Sequence, residues 1–322
     1  MTTASGQRAS GQSSRPSTQT MIGSVSLPNP VLTASGTAGH GAELAEYFDL
    51  ALLGAHVVKS LAAYEWAGNP SPRVHPVSAG MLNAVGLQGP GVSAWRRDDL
   101  RALVDSGARV VVSLWGRRVS EYAEAAALLE GVDPAVVAVE VNLSCPNLEG
   151  RAGIFAHDAA LSAEIVREVR ACGLPCWAKL SPNTDRLVEV AGAVADAGAS
   201  AVTLVNTVLG MVVDTRTGRA ALGNGGGGLS GPAIHPVAVR AVHDVRAAHP
   251  DLPIIGVGGV TDGASAIELL MAGAQAVQVG TATFADPRAA LLVLEDLVRW
   301  MADEGVANLG EIIGVAHRGG RR

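Results

Sequence analysis

Aromatic residues and cysteine are scarce in this chain of 322 residues. Only 3% of the residues are aromatic although 48% are hydrophobic, so the core must be built mainly from Ala, Val and Leu. The three cysteines, Cys145, Cys172 and Cys176, make no disulfide framework, and an odd number is typical of a reducing compartment.

Residue patterns typical of metal sites are also missing. Cys172 and Cys176 lack two further ligands at suitable spacing, which argues against a zinc site. The eight histidines include no HExxH or similar pair, and no carboxylate cluster accompanies them. We therefore expect no metal.

Long apolar runs and long basic runs are absent as well. No stretch of about 18 or more apolar residues occurs, which argues against a membrane-spanning helix. The first 20 residues are rich in Ser, Thr, Gly and Gln and predict a disordered tail. With a net charge of −6 the chain is not expected to bind nucleic acid, and a small neutral or anionic metabolite is the expected ligand. We expect a cytoplasmic protein.

Eight short apolar runs predict buried strands. They cover residues 30–34, 55–59, 109–114, 136–142, 175–180, 201–206, 253–258 and 275–280. Ala-rich segments with helical periodicity lie between most of them, at 121–130, 158–171, 186–198, 233–247 and 263–272. This alternation predicts a (β/α)8 TIM barrel. An open doubly wound sheet is the alternative, but it normally carries an early dinucleotide fingerprint, which is missing here.

The alternation continues without a linker, which favours a single domain. We predict a disordered N-terminal tail at 1–20, a barrel at 21–310 and a C-terminal tail at 311–322. Two insertions rich in Gly, Pro and Asn, 60–93 and 207–230, follow strands 2 and 6. Substrate loops form at this end of a barrel, so both insertions are expected beside the site.

The segment NLSCPN at 142–147 directly follows the fourth predicted strand. Chemistry in α/β barrels is located at the carboxyl ends of the strands. Cys145 is therefore a candidate base or nucleophile, whereas Cys172 and Cys176 are better explained as small buried apolar residues. A thiol becomes a usable base when nearby positive charge or hydrogen bonds stabilise the thiolate.

Glycine-rich segments end strands 7 and 8, at 256–260 and 279–281. Glycine lets backbone N–H groups and a helix N-terminus face an anion without a Cβ in the way. Each segment alone is explained equally well by a tight turn, but together, on adjacent strands, they favour a bound phosphate. Asp262, just after strand 7, is better explained as a helix cap than as a ligand of the anion.

Polar side chains gather at the same strand ends. Lys59 ends strand 2 and Lys179 ends strand 5, and each either forms a structural salt bridge or faces an anionic ligand, because an unpaired buried ammonium is strongly disfavoured. Lys59 is a candidate for a substrate carboxylate, and Lys179 for a cofactor ring atom that becomes negative on reduction. One Asn is usually a turn residue, but four of them with Thr207 suggest recognition of a planar heterocycle. The four are Asn83, Asn142, Asn147 and Asn206.

Over nearly all of residues 21–300 the chain resembles the dihydroorotate dehydrogenases, which are FMN-containing (β/α)8 barrels. The matching segments occur in the family's order, which makes the resemblance far more specific than any one motif. They are NPVLTASG at 29–36, GNPSPR at 68–73, GMLNAVGLQ at 80–88, NLSCPN at 142–147, GLSGPAI at 228–234 and the two glycine-rich segments.

The resemblance implies oxidation of dihydroorotate to orotate for pyrimidine synthesis. Cys145 would remove the C5 proton while hydride passes from C6 to FMN. The residues implied to hold the substrate are Lys59, Asn83, Ala84, Val85, Gly86, Leu87, Asn142, Asn206 and Thr207. Those implied to hold FMN are Ser35, Lys59, Ser60, Ser113, Asn142, Lys179, Val205, Gly231, Gly258, Gly259, Gly280 and Thr281, the last four at its phosphate.

The resemblance also implies a subtype and partners. Quinone-linked, membrane-bound members use serine as the base and carry a membrane-associating N-terminal segment, whereas this chain has Cys145 and a polar tail. The segment NAVGLQ at 83–88 is similar to the NAD-linked class, whose barrel passes electrons to a separate FAD and iron–sulfur subunit. We expect such a partner, because the chain has neither an NAD fingerprint nor an iron–sulfur cysteine set of its own. We also expect a homodimer.

Three features depart from the family pattern. Ser113 stands where the NAD-linked class typically has an asparagine that contacts the flavin, although a hydroxyl can still donate to the ring. Gly89 stands where Asn is usual. The glycine run at 225–228 is looser than the family pattern.

Two other functions remain as alternatives. A related flavin barrel acting on another dihydropyrimidine, such as dihydrouracil, would not need Lys59 for a carboxylate. A noncatalytic barrel that binds phosphate or a nucleotide would keep its ligand affinity when Cys145 is replaced.

Overall fold

The structure, a computed structural model, describes residues 16–144 and 155–321. This described part contains fourteen strands, numbered in chain order. They are β1 (Thr20–Ile22), β2 (Val25–Leu27), β3 (Val31–Thr33), β4 (His56–Val57), β5 (Val74–Val77), β6 (Gly80–Asn83), β7 (Val110–Leu114), β8 (Val136–Asn142), β9 (Cys176–Lys179), β10 (Ala201–Leu204), β11 (Val208–Gly210), β12 (Gly227–Ser230), β13 (Ile254–Val257) and β14 (Ala276–Val279).

Eight α-helices occur in the same two ranges. They are α1 (Val92–Asp98), α2 (Leu100–Asp105), α3 (Val119–Ala127), α4 (Ala159–Val169), α5 (Leu187–Asp196), α6 (His235–Ala248), α7 (Gly263–Ala272) and α8 (Ala289–Asp303). The five predicted helices correspond to α3 to α7. Within the described ranges, none of the helices combines the length and the apolarity that a bilayer crossing requires.

The central sheet contains eight parallel strands in the order β3-β14-β13-β10-β9-β8-β7-β4. A parallel bridge between Leu32 and Ala55 joins β3 to β4 and closes the ring. The strands are rich in Val, Ile and Ala and are buried on both faces, because the helices cover the outside of the ring. The predicted (β/α)8 barrel and its eight strands are confirmed.

Two aspartates begin helices at the ends of connecting loops. Asp158 accepts hydrogen bonds from the backbone N–H groups of Ala160 and Leu161 at the start of α4. Asp262 accepts from the N–H of Ser265 at the start of α7, and the Ser265 hydroxyl in turn accepts from the Asp262 N–H, which completes a capping box. The prediction that Asp262 is a helix cap is confirmed.

The two insertions form one additional sheet at the carboxyl ends of the barrel strands. The first insertion supplies β5 and β6, the second supplies β11 and β12, and the antiparallel order is β11-β12-β6-β5. Leu229 of β12 pairs with Leu82 of β6. The insertions are therefore joined by backbone hydrogen bonds into a single cover beside the barrel mouth.

Both chain ends contact the barrel where the structure describes them. The Ser17 N–H donates to the Ala307 carbonyl over 2.9 Å, so the ordered contacts begin before the predicted boundary at residue 21. In the segment predicted as a C-terminal tail, Ile312 is buried and His317 Nε2 lies 3.0 Å from the Ala272 carbonyl oxygen of α7. Residues 311–318 therefore pack on the barrel instead of extending from it.

Candidate active site

A cavity of about 310 Å³ opens at the carboxyl ends of the barrel strands. This volume lies in the range of small-molecule sites. Residues in or just after β3, β4, β8, β9, β10, β13 and β14 line it, together with residues of β5, β6 and β12 from the covering sheet. The strand ends and the two insertions thus enclose one common space.

The structure brings almost all of the predicted site residues to this cavity. Ser113 is the exception among those it describes, and Cys145 and Asn147 lie outside the described residues. The predicted residues that line the cavity are Ser35, Lys59, Ser60, Asn83, Ala84, Val85, Gly86, Leu87, Asn142, Lys179, Val205, Asn206, Thr207, Gly231, Gly258, Gly259, Gly280 and Thr281.

Lys59 lines the cavity without an ion pair to any carboxylate in the described part of the chain. Burial, and after it the positive charge of Arg73, hold the pKa of Lys59 below its ordinary value. Both effects disfavour the ammonium in the absence of an anion. A ligand carboxylate would supply the missing countercharge.

Lys179 lines the cavity and also forms a structural salt bridge, so both roles considered for it from the sequence are present. Its Nζ lies 3.5 Å from Glu140 Oε1 and donates to Gln278 Oε1 over 3.3 Å. Glu140 and Gln278 are fully buried inside the barrel below the cavity. The ammonium therefore stands between the barrel interior and the ligand space.

A network of amides and hydroxyls joins the ends of β4, β8 and β10. Asn142 Oδ1 accepts from Asn206 Nδ2 over 3.2 Å and from the Ser144 N–H over 3.2 Å. Asn142 Nδ2 donates to Ser60 Oγ over 3.4 Å. These contacts fix the plane of the Asn142 amide at the cavity wall.

Ser113 lies behind this wall and does not line the cavity. Its Oγ is 2.8 Å from Ser60 Oγ, which is in turn 3.1 Å from Ser35 Oγ. Ser113 is fully buried. The direct contact of Ser113 with the flavin therefore stays a prediction, while in the folded chain the Ser113 hydroxyl contacts Ser60, which does line the cavity.

Glycines make the wall formed by β12, β13 and β14. Gly231, Gly258 and Gly259 have φ values of 93°, 137° and 71°, which side chains rarely adopt. A Cβ on Gly259 would lie 2.7 Å from the His235 Cβ and 2.9 Å from the Gly231 carbonyl oxygen. On the opposite side, Thr281 Oγ1 donates to Ser230 Oγ over 2.8 Å. The result is a cradle of glycine backbone, in which an added Cβ on Gly231, Gly258 or Gly259 would clash with the neighbouring chain.

Two glycines of the run at 225–228 are explained by close packing within the covering sheet. A Cβ on Gly228 would lie 2.0 Å from Thr207 Oγ1, and one on Gly227 would lie 2.4 Å from the Asn83 carbonyl oxygen. Both Thr207 and Asn83 line the cavity. Glycine at these two positions lets β12 approach the two polar residues.

The loop at 84–88 is held by contacts to the rest of the first insertion. Trp66 Nε1 donates to the Gly86 carbonyl over 3.0 Å, and Arg73 Nη1 donates to Gln88 Oε1 over 2.7 Å. Leu87 has a φ of 63°, a strained value for a residue with a side chain. A side chain at Gly89 would start with its Cβ 3.2 Å from His40 Nε2, so the glycine leaves room for that ring.

Sequence reasoning missed several residues of the site. Ser144 and Ser230 both line the cavity. Each belongs to a motif that was already assigned to the site, NLSCPN at 142–147 and GLSGPAI at 228–234, and this membership could have identified them. Glu140 carried a clear signal, because it is an acidic residue inside an apolar strand run two positions before Asn142. The further lining residues are Ala34, Gly36, Thr37, Val74, Met81, Ile234, Val257 and Phe284.

Comparison with known proteins decides the family. Residues 17–301 match the model of the dihydroorotate dehydrogenase family. The chain belongs to this family. It is 48% identical over 304 residues to the dihydroorotate dehydrogenase B (NAD(+)) catalytic subunit of Desulforudis audaxviator, which covers 94% of this chain and 98% of that protein. It is 44% identical over 301 residues to the subunit of the same name from Geobacter sp. strain M21, covering 93% and 98%. The predicted family is confirmed.

The cavity fits FMN, the cofactor of this dihydroorotate dehydrogenase family. The cradle of Gly231, Gly258 and Gly259 suits a phosphate, because glycine backbone in the cavity lining can approach an anion closely. The Lys179 ammonium and the Asn142 amide provide donors for the polar edge of an isoalloxazine ring. In the described part of the chain, no three His, Cys, Asp or Glu side chains are grouped so as to hold a metal ion.

Proposed function

We propose that this chain oxidises (S)-dihydroorotate to orotate with FMN, as the catalytic subunit of an NAD-linked dihydroorotate dehydrogenase in pyrimidine biosynthesis. One observation carries the proposal. In a member of this family, a single cavity combines the glycine cradle, Lys179 with its buried carboxylate, and the uncompensated Lys59. These features correspond to a phosphate, a reducible ring and a substrate carboxylate.

The cofactor residues divide into two groups along the cavity. The phosphate group is assigned to Gly258, Gly259, Gly280 and Thr281, with Gly231 beside them. The ring is assigned to Ser35, Lys59, Ser60, Asn142, Lys179 and Val205. When bound, FMN supplies the acceptor for hydride.

The substrate is held by charge at one end and by amides along its ring. Lys59 binds the carboxylate, and Asn83, Asn142 and Asn206 offer the donors and acceptors that a cyclic imide presents in return. Thr207 and the loop at 84–87 complete this part of the wall. Burial of Lys59 beneath the covering sheet lowers the dielectric around it, which strengthens its interaction with the carboxylate.

Cys145 is assigned as the general base. It directly follows Ser144, which lines the cavity, and Asn142, three residues earlier, is held by Asn206 and Ser60. The Cys145 thiolate takes the proton from C5 while C6 loses a hydride, so the C5–C6 single bond becomes the double bond of orotate. Positioned base catalysis of this kind contributes about 10² to 10⁴ in rate.

The NAD-linked activity requires a partner subunit, as the name of the relatives' catalytic subunit indicates for those proteins. We assign FAD and an iron–sulfur cluster to the partner, because three cysteines are too few for a cluster site beside the base Cys145. We also propose a homodimer. Exposed apolar side chains of Leu209, Met211 and Val213 near the covering sheet support a subunit contact. The low cysteine content supports a cytoplasmic location.

The test is the visible spectrum of the purified protein under anaerobic conditions, before and after L-dihydroorotate is added. The wild type should show an FMN band that bleaches. Cys145→Ala should retain the band and bleach at least about 100-fold more slowly, as expected for loss of a general base. Cys172→Ala is the matched control, because Cys172 precedes β9 at the opposite end of the barrel and is absent from the cavity lining.

Three other outcomes would redirect the assignment. A bound flavin that is reduced by dihydrouracil and not by dihydroorotate would identify the other dihydropyrimidine enzyme. A flavin that no dihydropyrimidine reduces would favour the noncatalytic barrel. A Cys145→Ala variant that bleaches at the wild-type rate would remove the base assignment.

A further inference from the structure

A buried polar cluster lies in the barrel interior directly below the cavity. Glu140 Oε2 accepts from Gln278 Nε2 over 2.6 Å and from Thr203 Oγ1 over 3.0 Å. The other carboxylate oxygen, Oε1, lies 3.5 Å from Lys179 Nζ and has no hydrogen bond in the described residues. Glu140, Thr203 and Gln278 are all completely buried.

The strands place this cluster between an apolar layer and the ligand space. Glu140 and Asn142 are two residues apart on β8, so both side chains point to the barrel interior. One layer further down, the interior contains Leu32, Trp177 and Ile255. Glu140 is therefore the deepest charge below the cavity in this part of the barrel, and Lys179 is the group that connects it to the cavity.

Stability alone does not explain a charge at this position. Taking a carboxylate and an ammonium out of water costs several kcal/mol each, and apolar residues of similar volume are often neutral or stabilising in place of a buried pair. Barrel interiors are ordinarily filled with branched apolar side chains. The two hydrogen bonds to Oε2 fix the orientation of the Glu140 carboxylate. Its other oxygen, Oε1, therefore faces the Lys179 ammonium.

We propose that Glu140 is a positioning residue that holds the Lys179 ammonium at the cavity floor and offsets part of its charge, and thereby lowers the midpoint potential of bound FMN. The inference rests on the proposed function, because it requires FMN in this cavity. Hydride brings two electrons and one proton to the ring, so the ring gains one negative charge. Positive charge at the cavity floor stabilises the reduced, negatively charged ring. The Glu140 carboxylate makes the cavity floor less positive, so the floor stabilises the reduced ring less.

The test is the midpoint potential of the flavin in the holoenzyme, measured by anaerobic equilibration with reference dyes and without dihydroorotate. Glu140→Gln keeps the shape and an oxygen acceptor for Thr203 and removes the charge. We expect the ratio of the dissociation constants of oxidised and reduced FMN to rise at least tenfold, which is a shift of about 30 mV to more positive potential for a two-electron couple. Glu164→Gln is the matched control, because Glu164 is exposed on α4 and its removal changes the net charge equally.

A positive shift in Glu140→Gln with no shift in Glu164→Gln supports the proposal, and an unchanged potential in both overturns it. If Glu140→Gln does not fold, Glu140→Asp replaces it. The shorter side chain keeps a carboxylate in the barrel but places it further from Lys179. The ratio of the dissociation constants of oxidised and reduced FMN should then rise about threefold. A wild-type midpoint potential in that variant overturns the proposal. A wild-type protein that takes up no FMN overturns the proposed function itself, which is a separate result.

Discussion

Asn206 donates its side-chain amide to Asn142 Oδ1 over 3.2 Å, so the ends of β10 and β8 are joined by a direct amide–amide hydrogen bond. Asn206 Oδ1 also accepts from the Thr207 N–H over 2.8 Å. The two bonds leave the Asn206 amide little freedom to rotate. Both asparagines line the cavity, and each therefore orients the other toward the ligand.

Asn206→Ala should impair substrate use more than cofactor binding. The change removes a donor to Asn142 as well as the amide that faces the substrate, so kcat/KM for dihydroorotate should fall about 10-fold to 100-fold, or roughly 1.4 to 2.7 kcal/mol. FMN content should stay near the wild-type value. Asn308→Ala is the control, because Asn308 caps a short helix far along the chain and is absent from the cavity lining. Equal kcat/KM values in the two variants would contradict the assignment of Asn206.

Gly259→Ala should weaken FMN binding. Gly259 has a φ of 71°, and an added Cβ would meet the His235 Cβ at 2.7 Å. The backbone at Gly259 would have to shift, and the FMN dissociation constant should rise at least about tenfold, equivalent to about 1.4 kcal/mol. Gly218→Ala separates backbone strain from this effect, because Gly218 has a φ of 69° and open space around it. A loss of FMN in both variants would show that strain, not the cradle, is responsible.

Substrate binding should weaken at alkaline pH, earlier than an ordinary lysine would allow. Burial and the charge of Arg73 lower the pKa of Lys59 from 10.5, so the ammonium that binds the carboxylate is lost below that pH. KM for dihydroorotate should rise as pH increases through the lowered pKa. Arg73→Gln removes the positive charge and should move this rise to higher pH.

Arg73→Lys is the control for that experiment. Lysine keeps the charge but loses the fork that donates to Gln88 and to the Asn69 carbonyl. If loss of the Arg73 contacts in the first insertion caused the shift, both Arg73 variants would change the pH dependence of KM in the same way. A profile that shifts only in Arg73→Gln identifies the charge.

Acid should destabilise the fold through His56. This residue is fully buried, neither ring nitrogen has a hydrogen-bond partner in the described residues, and burial lowers its pKa from 6.5 to about 4. Between these values the unfolded chain binds more protons than the folded chain, so the free energy of unfolding falls as pH decreases from 6.5 to about 4. The shift corresponds to about 3 kcal/mol in total. When the free energy of unfolding is measured with urea at several pH values, it should fall less steeply below pH 6.5 in His56→Leu than in the wild type. An unchanged pH dependence in this variant would exclude His56 as the cause of the acid destabilisation.

Local patterns were sufficient for the barrel and for most of the site. Strands such as Val136–Asn142 are continuous apolar runs, and their carboxyl ends must face one side once the fold is parallel. For this reason Lys59, Asn142 and Gly259 could be placed in one cavity before any geometry was known. Their assigned roles, and that of Cys145, stay predictions until the spectra and the variants are measured.

Long-range packing decided what the sequence could not. The resemblance implied Ser113 at the flavin, and the folded chain places its hydroxyl 2.8 Å from Ser60 Oγ and outside the cavity lining. Residues 60–93 and 207–230 were predicted only as insertions beside the site, and they pair into one sheet because backbone groups far apart in sequence meet there. Such pairing depends on the folded positions of both segments and leaves no periodic signal in either.

The amino-acid sequence by itself determined the alternation of strand and helix, the glycine turns and the place of a cysteine after the fourth strand, because these depend on neighbouring residues along the chain. The tertiary structure alone decided which charges meet. Glu140 and Lys179 are 39 residues apart, and the pairing of β8 with β9 brings their side chains to 3.5 Å in the buried barrel interior. Charge interactions depend on distance and on the surrounding medium, and the folded chain sets both.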